Sequence, residues 1–338
     1  MTHLPVSLIP DFDLSARNTL ALRAQSRFAV EISDAGMLAG LFETASNMGL
    51  PVRVLGGGSN VVLAPQFDGI TALISTKGKR IVSTDDEATL IEAAAGESWH
   101  DLVAWTVENG LGGIENLALI PGTVGAAPVQ NIGAYGAELA DCFAELTAYD
   151  CRTGADRLFD GKDCAFAYRD SVFKHEPDRF VVTTVRLCLP KAWKPNLNFA
   201  GLSDLAGGEL TPKSVMERVI ALRTSKLPDW RVHPNAGSFF QNPIVTLDAA
   251  QRVLAETPTA PNYPQADGRT KLSAGWLIEQ SGLKGFRMGP VGMSDRHALV
   301  VVNHGGGQQA DVAALAAYVK DSVRARFGVS LHEEPVFL

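Results

Sequence analysis

Apolar and polar positions alternate along the chain in a way that predicts short strands separated by amphipathic helices. Strands are predicted at 28–32 and 51–55, on either side of a helix from about Asp34 to Met48. Another strand is predicted at 90–95, and a Val- and Thr-rich one at 180–189. Strands and helices mixed in this order favour an α/β or α+β protein.

Local signals mark the ends of three further helices. Ser98 is predicted to cap a helix that ends at Gly110, and Asp311 is predicted to cap a helix that ends at Gly328. A helix is also predicted at 212–222. After it, the chain changes from a strand-rich pattern to loops and helices, so we expect a domain boundary near residue 225.

Composition narrows the class of protein. The 338 residues are 46% apolar, enough for packed cores in two or three domains. Lys and Arg number 30 against 37 Asp and Glu, a net charge of −7, which gives no general attraction for nucleic acid or anionic lipid. The longest apolar run, 312–319, is too short to span a membrane. The first eleven residues lack the features of a signal peptide, so a cytoplasmic protein is expected.

Cysteine and histidine spacing offers no metal site. The four cysteines form no CxxC pair, and we expect them to be reduced, structural thiols. The seven histidines show no HExxH or similar spacing, so no metal centre is predicted. The cysteines are Cys142, Cys151, Cys164 and Cys188.

The first glycine-rich segment, Gly56 to Asn60, follows a predicted strand. It departs from the dinucleotide fingerprint GxGxxG, because the third glycine position holds Val61, and no GK[ST] follows as a Walker A loop requires. Backbone N–H groups in such a run can approach a pyrophosphate, with Ser59 and Asn60 as side-chain donors. A plain tight turn explains this segment equally well.

The second glycine-rich segment, Leu119 to Gly136, is harder to explain as ordinary secondary structure. Its eighteen residues include four glycines, two prolines and three alanines, which excludes an ordinary amphipathic element. This density of small residues favours a backbone wrapped around a flat ligand the size of a flavin, although structural turns remain the alternative.

Three strings carry ionisable or hydroxyl groups. Tyr168-Arg169 begins a cluster with Lys174, Ser238 lies between a glycine and two phenylalanines, and Glu334 is near the end of the chain. Taken singly, an ion pair, a helix cap and a solvated tail explain them. Ser238 lacks the GxSxG context of a hydrolase nucleophile.

Together these strings resemble the UDP-N-acetylenolpyruvoylglucosamine reductases, flavoenzymes of bacterial peptidoglycan precursor synthesis. The resemblance extends from about residue 18 to the C-terminus and rests on seven ordered motifs. They are Leu55–Asn60, Asn116–Gly122, Gln130–Gly136, Tyr168–Ser171, Lys226–Pro228, Asn235–Phe240 with Asn242-Pro243, and Ala274–Ile278 with Lys284-Gly285.

The resemblance implies an α+β protein with a two-lobed FAD-binding region of the vanillyl-alcohol-oxidase type and a C-terminal α+β substrate-binding domain. The implied boundaries are 1–75 for the first lobe, 76–225 for the second and 226–327 for the substrate domain, with 328–338 a candidate to return to the first lobe. The segment 189–199, which includes Trp193, corresponds to an insertion that marks the longer type of this family.

The resemblance also implies a reaction in two halves. NADPH gives a hydride to non-covalently bound FAD, and the enolpyruvyl ether of UDP-N-acetylglucosamine then takes it at its vinyl terminus. The product is UDP-N-acetylmuramate. The implied partners are therefore this nucleotide and NADPH, without nucleic acid or membrane insertion.

Site residues follow from the matched motifs. Arg169 would stabilise the enolate, Ser238 would donate the proton, and Glu334 would help to polarise the intermediate. Tyr168, Lys226 and Asn242 match positions that contact the diphosphate or orient the substrate. The implied FAD-binding residues are Gly56, Gly57, Gly58, Ser59, Asn60, Pro121, Gly122, Thr123, Gly125, Gln130, Asn131, Ile132, Gly133 and Tyr135.

Three features depart from the family pattern. The tail holds Glu333 and Glu334 together, and ungapped alignment favours Glu334. Phe199 stands where the longer type usually has a tyrosine that closes over the substrate. The stretch 125–128 lacks serines that are often found beside the flavin, which leaves backbone groups to make those contacts.

Two other functions are compatible with parts of the pattern. The first is another FAD-dependent oxidoreductase of the same fold, but several of those tether the flavin through His or Cys, and neither occurs at 56–60 or 116–136. The second is a flavin or sugar-nucleotide binding module without catalysis. Such a module is expected to lose Arg169, Ser238 or the terminal glutamate, and all three are present.

Overall fold

The computed structural model describes residues 6–208 and 210–338. The expectation that no signal peptide is present concerns the first eleven residues, and 1–5 lie outside the described part. Within the described ranges, no helix combines the length and the apolar character that crossing a membrane requires.

The chain divides into two compact units, each made of several separate segments. The described part of unit 1 consists of 6–12, Ser26–Gly58 and Phe67–Ser225, and unit 2 consists of Asp13–Gln25, Ser59–Gln66 and Lys226–Leu338. The three-domain division expected from the sequence stays a prediction.

Short strands and mostly short helices make up the described residues. The strands are β1 Ile9–Asp13, β2 Gln25–Ile32, β3 Val52–Leu55, β4 Val61–Val62, β5 Gln66–Ile74, β6 Lys79–Thr84, β7 Ala88–Ala94, β8 Gly133–Ala134, β9 Ala137–Glu138, β10 Phe143–Asp150, β11 Ala155–Asp160, β12 Phe180–Pro190, β13 Asn235–Ser238, β14 Ile244–Val245, β15 Asn262–Pro264, β16 Thr270–Leu272, β17 Arg287–Met288, β18 Val291–Met293, β19 Val300–Asn303 and β20 Val336–Phe337. The α-helices are α1 Met37–Met48, α2 Trp99–Glu108, α3 Gly161–Cys164, α4 Val172–His175, α5 Pro212–Lys226, α6 Leu247–Glu256, α7 Ala274–Gln280 and α8 Gln309–Phe327.

Unit 1 is built on two sheets. The first has the order β1-β2-β5-β3, in which β3 and β5 run parallel, and apolar residues of α1 pack on it. The second, β11-β10-β12-β7-β6, is antiparallel throughout. The largest core of unit 1 lies between this second sheet, α2, α5 and the segment 114–139, and Trp99 and Leu102 are fully buried there. The glycine-rich segment thus rests on a dense apolar base.

Helix α2 forms where the sequence predicts it. Ser98 is its N-cap and accepts a hydrogen bond from the Asp101 backbone N–H, which satisfies one of the donors that a helix start leaves open. Gly110, with φ of +73°, follows the C-cap Asn109 in the left-handed conformation. Both end signals are confirmed.

Unit 2 contains smaller sheets around one core. The order β13-β19-β18-β17 is antiparallel, β14-β16-β15 forms a second small sheet, and β20 runs parallel to β4 with Val336 opposite Val61. The core packs α7 and α8 against these strands, with Phe239 and Phe240 fully buried. The end of the chain is therefore held in place by a strand pairing.

The start of α8 corrects one sequence prediction. Asp311 is not the N-cap, because the helix begins at Gln309 with Gln308 as N-cap. Asp311 occupies the third helical position, and its carboxylate accepts the Gln308 backbone N–H at 2.8 Å in a capping box. The predicted end at Gly328 is confirmed by its φ of +67°.

The cysteines are all free thiols. Burial raises the pKa of Cys142 and of Cys164 to about 12, so these thiols stay protonated at neutral pH. Among the described residues, no group of three or more His, Cys, Asp or Glu side chains is arranged to hold a metal ion.

Candidate active site

The two glycine-rich segments lie against each other in unit 1. A Cβ placed on Gly56 would come within 2.5 Å of the Thr123 Oγ1, and one on Gly57 would come within 2.9 Å of the Gly122 Cα. Real side chains do not approach a backbone as closely as a Cβ on Gly57 would. Glycine is therefore required at 57 by its packing on Gly122, whereas the neighbour of Gly56 is the Thr123 side chain.

Backbone pairing fixes the second segment. The N–H groups of Val124 and Gly125 donate to the carbonyl oxygens of Glu97 and Ala95, both at 2.9 Å. A Cβ on Gly125 would meet the Ala95 Cβ at 2.5 Å. The following residues, Val124–Gln130, form a 3₁₀ helix with Pro128 inside it, so the stretch is tied to the sheet by its main chain.

Asn131, which ends this 3₁₀ helix, is 1% exposed. Its amide donates to the Glu138 carboxylate (2.8 Å) and to the Ala167 carbonyl (3.1 Å), and its oxygen accepts the Ala140 N–H at 3.0 Å. The Asn131 side chain is thus committed to internal hydrogen bonds. Its predicted contact with FAD would have to come from the backbone.

Arg169 reaches the same segment. It has φ of +56°, and its Nη2 donates to the Gly133 carbonyl at 2.5 Å. Its guanidinium carbon lies 5.3 Å from the centre of the Tyr168 ring, and the Lys174 ammonium donates to its carbonyl oxygen at 2.6 Å. An uncommon backbone conformation is held from several sides, which is typical of functional positions.

Residue Phe199, in the predicted insertion, contacts Tyr135. Their ring centres are 4.8 Å apart in an edge-to-face arrangement. Burial raises the pKa of the Tyr135 phenol. The structure therefore brings the insertion onto a predicted FAD-binding residue of unit 1.

In unit 2, strand β13 carries Ser238 beside the end of the chain. Phe240 and Glu333 form a β-bridge, and the Glu334 N–H donates to the carbonyl of Phe239 at 2.9 Å. The Asn60 amide donates to the Glu334 carbonyl at 3.2 Å. These bonds thus hold Glu334 next to Asn60 and next to Phe239, the residue that follows Ser238.

The two adjacent glutamates have different surroundings. The Glu333 carboxylate forms an ion pair with the Lys320 ammonium at 2.5 Å, whereas Glu334 is attached by its backbone next to Ser238. The contacts of the two glutamates thus differ, and the assignment of Glu334 as the one that acts in the reaction stays a prediction.

The predicted substrate residues of unit 2 lie in separate elements. Lys226 is the last residue of α5 and is exposed. It acts electrostatically on His297, whose pKa is lowered by burial first and then by the charges of Lys226 and Lys284. The Asn242 oxygen accepts the Ala274 N–H at 2.9 Å, at the start of α7.

Comparison with known proteins identifies the family. A family description, "UDP-N-acetylenolpyruvoylglucosamine reductase, C-terminal domain", matches residues 228–338, and "FAD binding domain" matches 27–155. The UDP-N-acetylenolpyruvoylglucosamine reductase of Burkholderia vietnamiensis is 48% identical, covering 99% of this chain and 98% of its own length. That of Burkholderia multivorans is 46% identical, covering 98% and 97%. The chain belongs to the UDP-N-acetylenolpyruvoylglucosamine reductase family.

One solved structure of the family has the same fold as this chain. The crystal structure of UDP-N-acetylenolpyruvylglucosamine reductase from Thermus caldophilus covers 99% of both chains with a TM-score of 0.67 at 24% identity. The predicted α+β fold, with an FAD-binding region followed by a C-terminal domain, is confirmed.

The residues of the glycine-rich segments in unit 1 are compatible with FAD. Gly56 and Gly57, which pack on 122–123, carry no side chains, and this is compatible with the close approach of a pyrophosphate or a flat ring system to the backbone. Within 116–136, no His or Cys is present to tether the flavin covalently. The cofactor of this family, FAD, is thus compatible with the residues present. The individual FAD contacts stay predictions.

Two further side chains, Arg223 and Asn116, lie near predicted site residues of unit 1, and the sequence predicts no role for either. Arg223, on α5, lies close enough to Tyr135 and Arg169 for their charges to interact, and burial followed by repulsion from Arg169 lowers its pKa. Asn116, 2% exposed, donates from its amide to two backbone carbonyls. Arg223 has no motif to mark it, whereas Asn116 begins one of the seven family motifs.

Proposed function

We propose that this protein reduces the enolpyruvyl ether of UDP-N-acetylglucosamine to UDP-N-acetylmuramate with NADPH, using non-covalently bound FAD. The reaction belongs to peptidoglycan precursor synthesis, and its use of a nucleotide substrate and NADPH supports a location in the cytoplasm. Family membership over nearly the whole chain supports the proposal. When bound, FAD supplies the ring that carries a hydride from NADPH to the enolpyruvyl group.

Arg169 is assigned to the carboxylate of the substrate. Negative charge grows there when the vinyl terminus is reduced, and a fixed guanidinium stabilises it because no reorganisation is needed at that moment. The hydrogen bond to Gly133 and the contact with Tyr168 hold the guanidinium in one position. Tyr168 is assigned a part in orienting the substrate.

Ser238 is assigned as the proton donor at the carbon next to the carboxylate. A serine hydroxyl is a weak acid, so it can serve only when it is positioned in advance and shielded from water. Its place at the end of β13, after Gly237 with φ of +72° and before two fully buried phenylalanines, supports such a fixed position.

Glu334 is assigned to polarising the intermediate beside Ser238. The Glu334 N–H bond to Phe239 keeps this residue one position away from Ser238 across the strand pair. The Glu333 carboxylate is instead engaged in an ion pair with Lys320. Both observations favour Glu334 as the carboxylate that acts in the reaction.

Lys226 and Asn242 are assigned to the diphosphate. An exposed ammonium at the end of a helix can follow a doubly charged group as a mobile point charge. The Asn242 oxygen is held by the N–H of Ala274, which directs its amide nitrogen away from that bond and fixes it as a donor.

The observation that carries the proposal furthest is the backbone pairing that holds Glu334 against Phe239, the residue after Ser238. The test is NADPH oxidation by the purified protein with and without the enolpyruvyl nucleotide. Oxidation that depends on the nucleotide and yields a product two mass units heavier supports the proposal. Sustained NADPH oxidation without the nucleotide, or an oxidised sugar product, would point to another flavin oxidoreductase.

A further inference from the structure

A tight turn joins β8 and β9 and carries Tyr135 and Gly136. Both residues have positive φ, +51° and +81°. Two such residues make the type of turn that closes a hairpin, and a tyrosine is an uncommon occupant of it. The position of Tyr135 therefore depends on contacts that hold the turn.

Two asparagines hold the carbonyl groups of this turn. The Asn116 amide nitrogen donates to the Tyr135 carbonyl at 2.8 Å, and the Asn196 amide nitrogen donates to the Gly136 carbonyl at 2.8 Å. The same Asn116 nitrogen also donates to the Asn196 carbonyl at 2.9 Å. We call these two residues the asparagine clamp. Its three bonds link the turn to the insertion at 189–199.

The insertion is anchored a few residues earlier. The Trp193 indole N–H donates to the Glu115 carboxylate at 2.7 Å, and Glu115 is 2% exposed. A Cβ on Gly112 would overlap the Trp193 ring at 2.3 Å, so glycine leaves the space that the indole fills. The insertion is thus fixed on the residue next to Asn116.

We propose that the asparagine clamp positions the flavin-binding turn, so that Asn116 and Asn196 control FAD retention. The inference rests on the proposed function and on the FAD contact that the family resemblance predicts for Tyr135. It gives the insertion a second task beside covering the substrate, because Asn196 holds Gly136 while Phe199 packs on the Tyr135 ring. Asn116 and Asn196 are positioning residues and take no part in the chemistry.

The test uses Asn116→Asp and Asn196→Asp, changes that keep side-chain shape. Each replaces a donor by an acceptor that faces backbone carbonyl oxygens. The matched control is Asn198→Asp, because Asn198 lies on the same loop with an exposed side chain and the change alters the net charge equally. FAD affinity is measured by fluorescence titration, and NADPH reduction and nucleotide-driven reoxidation are then followed in FAD-saturated protein.

We expect Asn196→Asp to weaken FAD binding about tenfold and Asn116→Asp to weaken it more, since one and two hydrogen bonds are lost. Both saturated variants should keep a wild-type KM for the enolpyruvyl nucleotide. Asn198→Asp should match wild type in both measurements. If Asn116→Asp fails to fold, Asn196→Asp alone decides.

Unchanged FAD affinity together with a raised nucleotide KM would overturn the inference and make the insertion a substrate cover only. Equal weakening in Asn198→Asp would also overturn it, because charge alone would then explain the effect. Wild-type protein that takes up no FAD would instead remove the proposed function, and the flavin-positioning role with it.

Discussion

The candidate site residues of unit 1 and unit 2 are built on different principles. In unit 1, Gly57 packs on the main chain of Gly122 and Gly56 packs on the Thr123 side chain, both so closely that an added Cβ would collide. In unit 2, Ser238 and Glu334 are side chains placed by ordinary strand pairing. The first region is sensitive to added atoms, and the second is sensitive to lost functional groups.

Because of this difference, we expect changes in the unit 1 glycines to affect FAD binding and changes in the unit 2 side chains to affect the chemical step. A change in the glycine segments should release FAD without altering the acid–base groups. A change at Ser238 should leave FAD bound and stop one step. The predictions below test this separation, starting with the largest expected effect.

Ser238→Ala removes the proposed proton donor from unit 2. General acid catalysis contributes roughly 10² to 10⁴ in rate, so reoxidation by the enolpyruvyl nucleotide should slow by about that factor. FAD content and bleaching by NADPH should match wild type. Stopped-flow absorbance of the flavin measures both steps. The control is Ser322→Ala, a half-buried serine on α8 that is not among the predicted site residues. A reoxidation rate like that of wild type would remove Ser238 from the mechanism.

Arg169→Ala removes a cation from unit 1 and tests the one side chain of that region assigned to chemistry. Loss of a preorganised donor costs about 10² to 10³ in rate, so the same reoxidation step should slow by that amount. The control is Arg157→Ala, since Arg157 pairs with Asp163 at the surface. A raised nucleotide KM with unchanged turnover would make Arg169 a binding residue instead.

Gly57→Ala adds one methyl group where the Gly122 Cα lies 2.9 Å away. Overpacking costs about 1–3 kcal/mol, which corresponds to FAD binding weaker by roughly 5- to 150-fold. The control is Gly161→Ala, because a Cβ there meets nothing within 4 Å. Fluorescence titration with FAD provides the comparison. Equal affinities in the two variants would show that the close packing of 56–58 is not needed for the cofactor.

The hydrogen bond between His100 and the second glycine-rich segment, at Leu119, makes the stability of the protein depend on pH. The His100 Nδ1 accepts the Leu119 N–H at 3.2 Å, which requires the neutral ring, and its pKa is lowered by burial, opposed by Asp101 and reinforced by Arg223. A lowered folded pKa gives stability that is present above pH 6.5 and lost as the pH falls through the folded value. Urea unfolding from about pH 7.5 to about pH 5 should therefore show a smaller loss of stability in His100→Gln. An identical loss in both proteins would exclude His100 as the source.

In unit 1, strand β3 also contains a buried cation, Arg53. Its Nε and Nη1 are buried without a hydrogen-bond partner among the described residues, and the Phe67 ring centre lies 4.1 Å from its guanidinium carbon. The cost of unpaired donors exceeds a cation–π contact, so Arg53→Met should raise the free energy of unfolding by about 1 kcal/mol. Arg80→Met, at the surface, is the control. Destabilisation by Arg53→Met would show that the guanidinium has an unrecognised partner.

Local signals predicted much of the fold because they act over a few residues. Ser98 and Gly110 bound α2 as expected, and Gly328 follows the end of α8. The prediction for Asp311 was wrong because a capping box places an acid at the third helical position as readily as at the cap. Helix α5 continues to Lys226, beyond the predicted end at 222, because no glycine or proline interrupts Arg223 to Lys226.

The site could be predicted only in part. Glycine density marked 119–136 correctly as an irregular segment, but sequence could not tell that the Asn131 side chain turns inward to Glu138 and Ala167. The different contacts of Glu333 and Glu334 also could not be predicted from sequence, because they are long-range, to Lys320 for one and to Phe239 for the other. Arg223 could not be predicted because its proximity to Arg169 arises from tertiary packing alone.

The most direct test of the separation between the two regions is to measure flavin content and reoxidation rate together in Gly57→Ala and Ser238→Ala. We predict that Gly57→Ala loses flavin but, once saturated with FAD, is reoxidised by the enolpyruvyl nucleotide at a rate near that of wild type. Ser238→Ala should keep its flavin and be reoxidised about 10² to 10⁴ times more slowly than wild type. Flavin loss from Ser238→Ala, or slow reoxidation of saturated Gly57→Ala, would contradict the account.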